Sequence, residues 1–125
     1  MTIVPDARSI CIIEDDELVR GHIAERLRDW GHTVFEAGSA DDGVALIRKE
    51  KTDVAIVDIL MPDRDGLEAI GQLRRTRPDL KIIAISGGGR VGADIYLRLA
   101  AQIGADTTLA KPVGDDDLRA ALSDA

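Results

Sequence analysis

Val54-Ala55-Ile56-Val57-Asp58-Ile59-Leu60-Met61-Pro62 is the stretch that decides the fold. Residues 54–57 are apolar at every position, and the run then stops on a carboxylate. A strand with no polar side chain on either face belongs in a parallel sheet covered by helices on both sides. The polar residue that ends it stands at the strand's carboxyl end.

Outward from this strand, short apolar runs alternate with helical patterns. On the N-terminal side, residues 9–13 form a β-branched run and read as a strand. Residues 17–30 place Val19, Ile23, Leu27 and Trp30 on one face of a helix, and Gly31 stands where a C-cap would. Residues 33–36 make a short strand. Ser39 or Asp41 caps a second helix carrying Val44 and Ile47, with Arg48, Lys49 and Lys51 near its C-terminal end, as the dipole favours. On the C-terminal side, Asp65 caps a third helix bearing Leu67, Ile70 and Leu73, which Pro78 ends. Residues 81–85 are a fourth apolar strand, and Tyr96, Leu99, Ala100 and Ile103 mark a fourth helix after the glycines at 87–89. Residues 107–110 are a weak fifth strand, and the acids at 115–117 lead a last helix with Leu118 and Leu122. The fold class is therefore α/β: a doubly wound (βα)5 domain with helices on both faces of a parallel sheet. Five strands fit the flavodoxin-like order 2-1-3-4-5, whose ligands bind beyond the carboxyl ends of strands 1 and 3.

The 125 residues suit one domain, and 45% hydrophobic content is enough for one core. With one Trp, one Tyr and one Phe, that core must be aliphatic. A net charge of −7 argues against nucleic acid and anionic lipid as partners. The lone cysteine, Cys11, has no intramolecular partner and reads as a buried, inert thiol. Neither a signal pattern nor an apolar run of membrane-spanning length is present, so no membrane insertion and a cytoplasmic location are expected.

The topology brings particular side chains together. Glu14, Asp15 and Asp16 follow the first strand and Asp58 ends the third, and these strands are neighbours in the expected order. Clustered carboxylates repel unless protonated or met by a cation. An all-oxygen site of this kind suits Mg2+. Ser86 ends the fourth strand and Lys111 the fifth. A carboxylate nucleophile, a metal, a hydroxyl and an ammonium are the parts that phosphoryl transfer needs.

These residues resemble the response-regulator receiver family over essentially the whole chain. The likeness rests on Glu14-Asp15-Asp16, on Asp58 through Gly66, on Ile85-Ser86-Gly87 and on Lys111-Pro112, in that order and each at a strand end. It implies that Asp58 accepts a phosphoryl group from a sensor histidine kinase or a histidine phosphotransfer protein. It implies further that Glu14, Asp15, Asp58 and the backbone carbonyl of Leu60 hold Mg2+, and that Ser86 and Lys111 meet the phosphoryl group. Met61-Pro62 and Gly66 would shape the loop after Asp58. The resemblance implies a stand-alone receiver over residues 1–125 with no output domain, acting on a downstream protein target as a monomer or a phosphorylation-dependent dimer. Such a protein is a phosphoacceptor regulator and not an enzyme acting on other substrates.

Two positions depart from the family pattern. Thr108 stands three residues before the lysine, where many members carry an aromatic switch residue. Output through residues 87–90 is the expected substitute. Leu60 and Gly88 offer no side chain that could orient a water, so self-dephosphorylation should be slow. Two other classes of function compete. A Mg2+-dependent aspartyl-phosphate phosphatase typically carries a second Asp two residues after the nucleophile, where this chain has Leu60. A receiver-like scaffold that is never phosphorylated would not need the full set of site residues. Outside the site, Arg74, Arg75 and Arg77 read as a solvated helix end, and His22 and His32 have no metal-ligand partner at useful spacing.

Overall fold

The computed structural model describes residues 7–61, 66–87 and 93–123. Five strands and five helices alternate: β1 (Ser9–Ile13), α1 (Glu17–Asp29), β2 (Thr33–Ala37), α2 (Ala40–Lys49), β3 (Val54–Asp58), α3 (Gly66–Thr76), β4 (Lys81–Gly87), α4 (Ala93–Ile103), β5 (Thr107–Lys111) and α5 (Asp115–Ser123). The strands form one parallel sheet in the order β2-β1-β3-β4-β5, as the alternation of strand and helix patterns implies. None of the described helices is long and apolar enough to cross a membrane.

The period-2 alternation of side chains gives the sheet two cores. Cys11, Ile13, Ala55, Val57, Ile82 and Ala84 face one side, under Val44 and Ile47 of α2, Leu67, Ile70 and Leu73 of α3, and Ala100 of α4. Ile10, Ile12, Val54, Ile56, Ile83 and Ile85 face the other, under Ile23, Ala24 and Leu27 of α1 and Leu118, Ala121 and Leu122 of α5. Trp30 stays at the edge of this second core, with the Arg119 guanidinium 4.4 Å from its ring centroid, so a cation–π contact joins α1 to α5.

Local signals start and stop the helices. Asp16 caps α1, accepting from the N–H groups of Leu18 and Val19 at 3.0 and 3.2 Å. Ser39, not Asp41, caps α2, accepting from Asp42 N–H at 3.1 Å; Asp41 lies within the first turn. Gly31 follows α1 with φ +98°, a left-handed conformation that glycine adopts without a Cβ clash. Asp65, the expected cap of α3, lies outside the described residues.

Three expectations are corrected. Strands β3, β4 and β5 run one or two residues further than their apolar stretches, so Asp58, Ser86, Gly87 and Lys111 lie within the sheet. Gly87 in particular is a strand residue paired with Lys111 and not part of a loop; residues 88–90 are outside the described set. Of the four apolar residues that mark α4, only Ala100 is fully buried, whereas Tyr96, Leu99 and Ile103 are each about two-fifths exposed. Arg75 is exposed as expected, but Arg74 and Arg77 are half-buried and engaged with backbone. Arg74 donates to the carbonyls of Pro78 (2.8 Å), Leu80 (2.7 Å) and Gly104 (2.8 and 3.0 Å), and to Asp106 at 2.7 Å. It thereby ties the end of α3 to the turns that enter β4 and β5. Arg77 donates to Thr52 O at 2.9 Å.

Cys11 is fully buried in the middle of the sheet, and desolvation pushes its thiol up to about 12. The thiolate is the reactive form. At pH 8 an aromatic disulfide reagent is therefore expected to label the native protein only as fast as the chain opens, and at once in denaturing urea. Stoichiometric labelling of the folded protein within the mixing time would contradict this burial.

Candidate functional site

The site follows from the register of the sheet. Ile13 pairs with Val57, so Glu14 emerges level with Asp58 on the neighbouring strand. Asp58 pairs with Ile85, Ser86 with Ala110 and Gly87 with Lys111. Lys111 thus stands two strands from Asp58, and at Gly87 the strand between them presents no side chain. Its peptide bond to Pro112 is cis.

Lys111 is the hub. Its Nζ donates to Glu14 Oε1 and, at 3.3 Å, to Asp58 Oδ2. Leu60 N–H donates to Asp58 Oδ1 at 3.1 Å, which orients the carboxylate from the chain's next turn. Glu14 is fully buried and Asp58 nearly so, whereas Asp15 is exposed. Carboxylate oxygens of Glu14, Asp15 and Asp58 lie within 4.8 Å of one another. Two like charges that close repel by about 3 kcal/mol at an effective dielectric constant of 20.

The titration behaviour reflects this crowding. Burial first, then the hydrogen bond and charge of Asp58, raise the Glu14 carboxyl above its ordinary value, with Lys111 opposing. Asp15 is raised by partial desolvation and then by Glu14. Burial pulls Lys111 down, but the Glu14 hydrogen bond and the Asp58 charge outweigh it, so the ammonium is held above its usual range. Three carboxylates against one ammonium leave two negative charges in surplus when all are ionised. A divalent cation matches that surplus, and an all-oxygen donor set suits a hard ion such as Mg2+ or Ca2+.

Ser86 is fully buried, and its Oγ has no hydrogen-bond partner among the described residues. It lies one residue past Ile85, the partner of Asp58, and is not joined to the Lys111 cluster by a hydrogen bond. Leu60 is half-buried at the same rim. His22 is exposed, while Nδ1 of His32 accepts from Arg8 N–H at 3.0 Å. Thr108 lines a shallow cavity of about 350 Å³ with Leu97, Arg98 and Ala101.

Two glycines fix where the acids stand. A Cβ on Gly66 would lie 2.2 Å from Asp58 O and 2.5 Å from Ile59 Cα, so only glycine lets α3 begin against the backbone of Asp58. A Cβ on Gly43 would meet Ile13 Cδ1 at 2.3 Å, just before Glu14. Sequence reasoning assigned Gly66 to the loop after Asp58 and passed over both contacts, since close backbone approach is a tertiary property. It also passed over Arg20, whose Nη1 donates to Glu14 O at 2.8 Å; a basic residue on the first helix carries no local signal of that bond.

Fold and site together define a doubly wound signalling-type domain with an acidic, cation-competent pocket at its topological switch point. The family model of the response regulator receiver domain matches residues 10–123, and the chain belongs to that family. It is a receiver domain, the phosphoacceptor module of two-component signalling. It is 34% identical over 105 residues to the transcriptional regulatory protein AfsQ1 of Streptomyces coelicolor, covering 84% of this chain and 45% of that protein. To the photosynthetic apparatus regulatory protein RegA of Cereibacter sphaeroides it is 30% identical, covering 92% of this chain and 61% of that protein. The chain thus spans about half the length of these curated relatives. A CheY-like receiver domain protein from Methanospirillum hungatei superimposes with a TM-score of 0.81 at 29% identity, over 91% of this chain and 89% of that one. A Burkholderia pseudomallei response regulator with a phosphorylated aspartic acid, a calcium ion and citrate gives 0.83 at 29% identity, over 93% and 66%.

Gly66→Ala is expected to destabilise the protein by at least about 2 kcal/mol, because the clashing atoms are backbone and cannot rotate away. Urea denaturation checks this; a loss below about 0.5 kcal/mol would show that α3 is free to move off Asp58.

Proposed function

We propose that Asp58 is the phosphoacceptor, taking its phosphoryl group from the phosphohistidine of a sensor kinase or a phosphotransfer protein. The observation that carries this reading is the convergence of Lys111 Nζ on both Glu14 and Asp58 at the switch point of the sheet. One Asp58 oxygen attacks phosphorus, an O–P bond forms, and the P–N bond breaks with its electron pair leaving on the histidine. Leu60 N–H and Lys111 hold the Asp58 carboxylate in place. Lys111 then offsets charge on the phosphoryl oxygens, and the Ser86 hydroxyl donates to one of them.

Glu14, Asp15, Asp58 and the carbonyl of Leu60 would hold Mg2+. Bound there, Mg2+ supplies charge neutralisation for the transferring group. The family and the acidic cluster support this assignment. The phosphorylated surface is read by a protein target, and a net charge of −7 disfavours nucleic acid as the direct partner.

Incubation with Mg2+ and a small acyl-phosphate donor should add one phosphate by intact mass, abolished by Asp58→Asn and by chelator. An adduct that survives Asp58→Asn would sink the assignment. Lys111→Met should slow formation of the adduct by about a hundredfold or more, as for loss of one charged oxyanion-stabilising group.

The half-buried apolar side chain of Leu60 cannot orient an attacking water. We therefore expect the purified phosphoprotein to lose its phosphate over hours in Mg2+, as followed by the mass of the intact chain. Loss within seconds would overturn that expectation.

A further inference from the structure

Asp15 poses a positioning problem. It is the exposed member of the acidic trio, so no packing holds its side chain toward Asp58. Its direction comes from the adjoining Glu14 carboxyl and from the backbone on either side. The residue after it is fixed: Asp16 caps α1 with its side chain, and its carbonyl accepts from Arg20 N–H at 2.9 Å. The residue before it is fixed on both peptide groups. Glu14 N–H donates to Ala37 O in β2 at 3.0 Å, and Glu14 C=O accepts from Arg20 Nη1 at 2.8 Å.

Arg20 is itself held. Its Nε faces Glu36 Oε1 at 3.4 Å, an ion pair that lacks the alignment of a hydrogen bond. Glu36 is steadied in turn by Arg28, whose Nη1 donates to Oε2 at 3.1 Å and whose Nη2 donates to Val34 O at 2.9 Å. The guanidinium lies over Gly38, where a Cβ would come within 3.3 Å of Nη1. The Arg20 side chain is only 17% exposed. A chain of polar contacts therefore runs from the end of β2 to the peptide that joins Glu14 to Asp15.

We infer that Arg20 is a positioning residue for the cation pocket: by clamping the Glu14 carbonyl it sets the direction of Asp15. This rests on the proposal that Glu14, Asp15 and Asp58 hold Mg2+. Coulomb's law alone says the opposite of Arg20, since a nearby positive charge opposes cation binding and its removal should tighten Mg2+. Clamping predicts that removal weakens Mg2+, in the way that loss of a group supporting a metal ligand lowers affinity about tenfold or more. The two effects differ in sign, so one titration separates them.

The test is Mg2+ titration by calorimetry of the wild type, Asp58→Asn, Arg20→Met and Arg20→Lys, with melting temperatures measured in chelator. Arg20→Met should bind Mg2+ about tenfold more weakly, with Arg20→Lys restoring most of the affinity because an ammonium can still donate to the Glu14 carbonyl. Unchanged or tighter binding by Arg20→Met overturns the inference, and so does weaker binding that Arg20→Lys does not restore. If Arg20→Met does not fold, Arg20→Gln decides: it removes the charge and shortens the reach to the Glu14 carbonyl, so it should weaken Mg2+, and unaltered or tighter binding counts against the clamp. A wild type whose Mg2+ binding is absent or indifferent to Asp58→Asn would overturn the metal assignment itself, and the inference with it.

Discussion

The structure depends on keeping two buried carboxylates, Glu14 and Asp58, side by side at the end of an aliphatic sheet. Left alone, such a pair would be among the most destabilising features a small domain could carry, because each ion loses hydration and repels the other. Lys111 is what makes the pair tolerable. One ammonium donates to both acids, and its charge is strengthened in return. The balance is incomplete, since Asp15 adds a third carboxylate within reach. A fully neutral cluster would have no use for a divalent ion, and a cluster without Lys111 would push one acid to stay protonated. The single lysine leaves a surplus that suits one dication.

The rest of the fold serves that arrangement. Parallel strands in register bring Glu14 beside Asp58, and the last apolar residues of β1 to β4, Ile13, Ala37, Val57 and Ile85, are locked into one of two cores. The helices press against the acids where glycine allows it, with α3 starting against the Asp58 backbone at Gly66. Far from the site, Arg74 gathers three carbonyls from two turns. The end of the sheet opposite the acids is thereby fixed while the acidic rim stays open to solvent at Asp15.

Much of this was legible in the residues. Runs such as 54–57 and 81–85 reported strands covered on both faces, and their order implied the sheet and the location of the acids. What was missed has a common cause: tertiary contacts that local pattern does not encode. The strands were drawn short because Asp58, Ser86 and Lys111 are polar, yet each belongs to the ladder; function overrides strand preference at the carboxyl ends. Helix α4 was recognised by its period, but period does not say which residues are covered: of the four that marked it only Ala100 is fully buried, and Leu97, which was not among them, packs against the core. Arg74 read as a surface cation and Arg20 carried no signal at all, yet both are donors to backbone carbonyls.

Ser86 and Thr108 bear on how a phosphoryl group at Asp58 would be felt elsewhere. A buried hydroxyl without a partner is unfavourable by about 1–3 kcal/mol, and Ser86 Oγ is in that condition among the described residues. A phosphoryl oxygen on Asp58 would offer that hydroxyl an acceptor. On β5, Thr108 pairs with Ala84 and faces a cavity shared with Leu97 and Ala101 of α4. No bulky side chain at 108 is present to swing into or out of that space. Ser86 lies on β4, which packs against α4, where Ala100 is fully buried and Leu97 packs partly buried against the core while Tyr96, Leu99 and Ile103 meet solvent. With Thr108 in place of a larger ring, a change at Ser86 would have to reach α4 through the strand backbone and the Ala100 and Leu97 contacts.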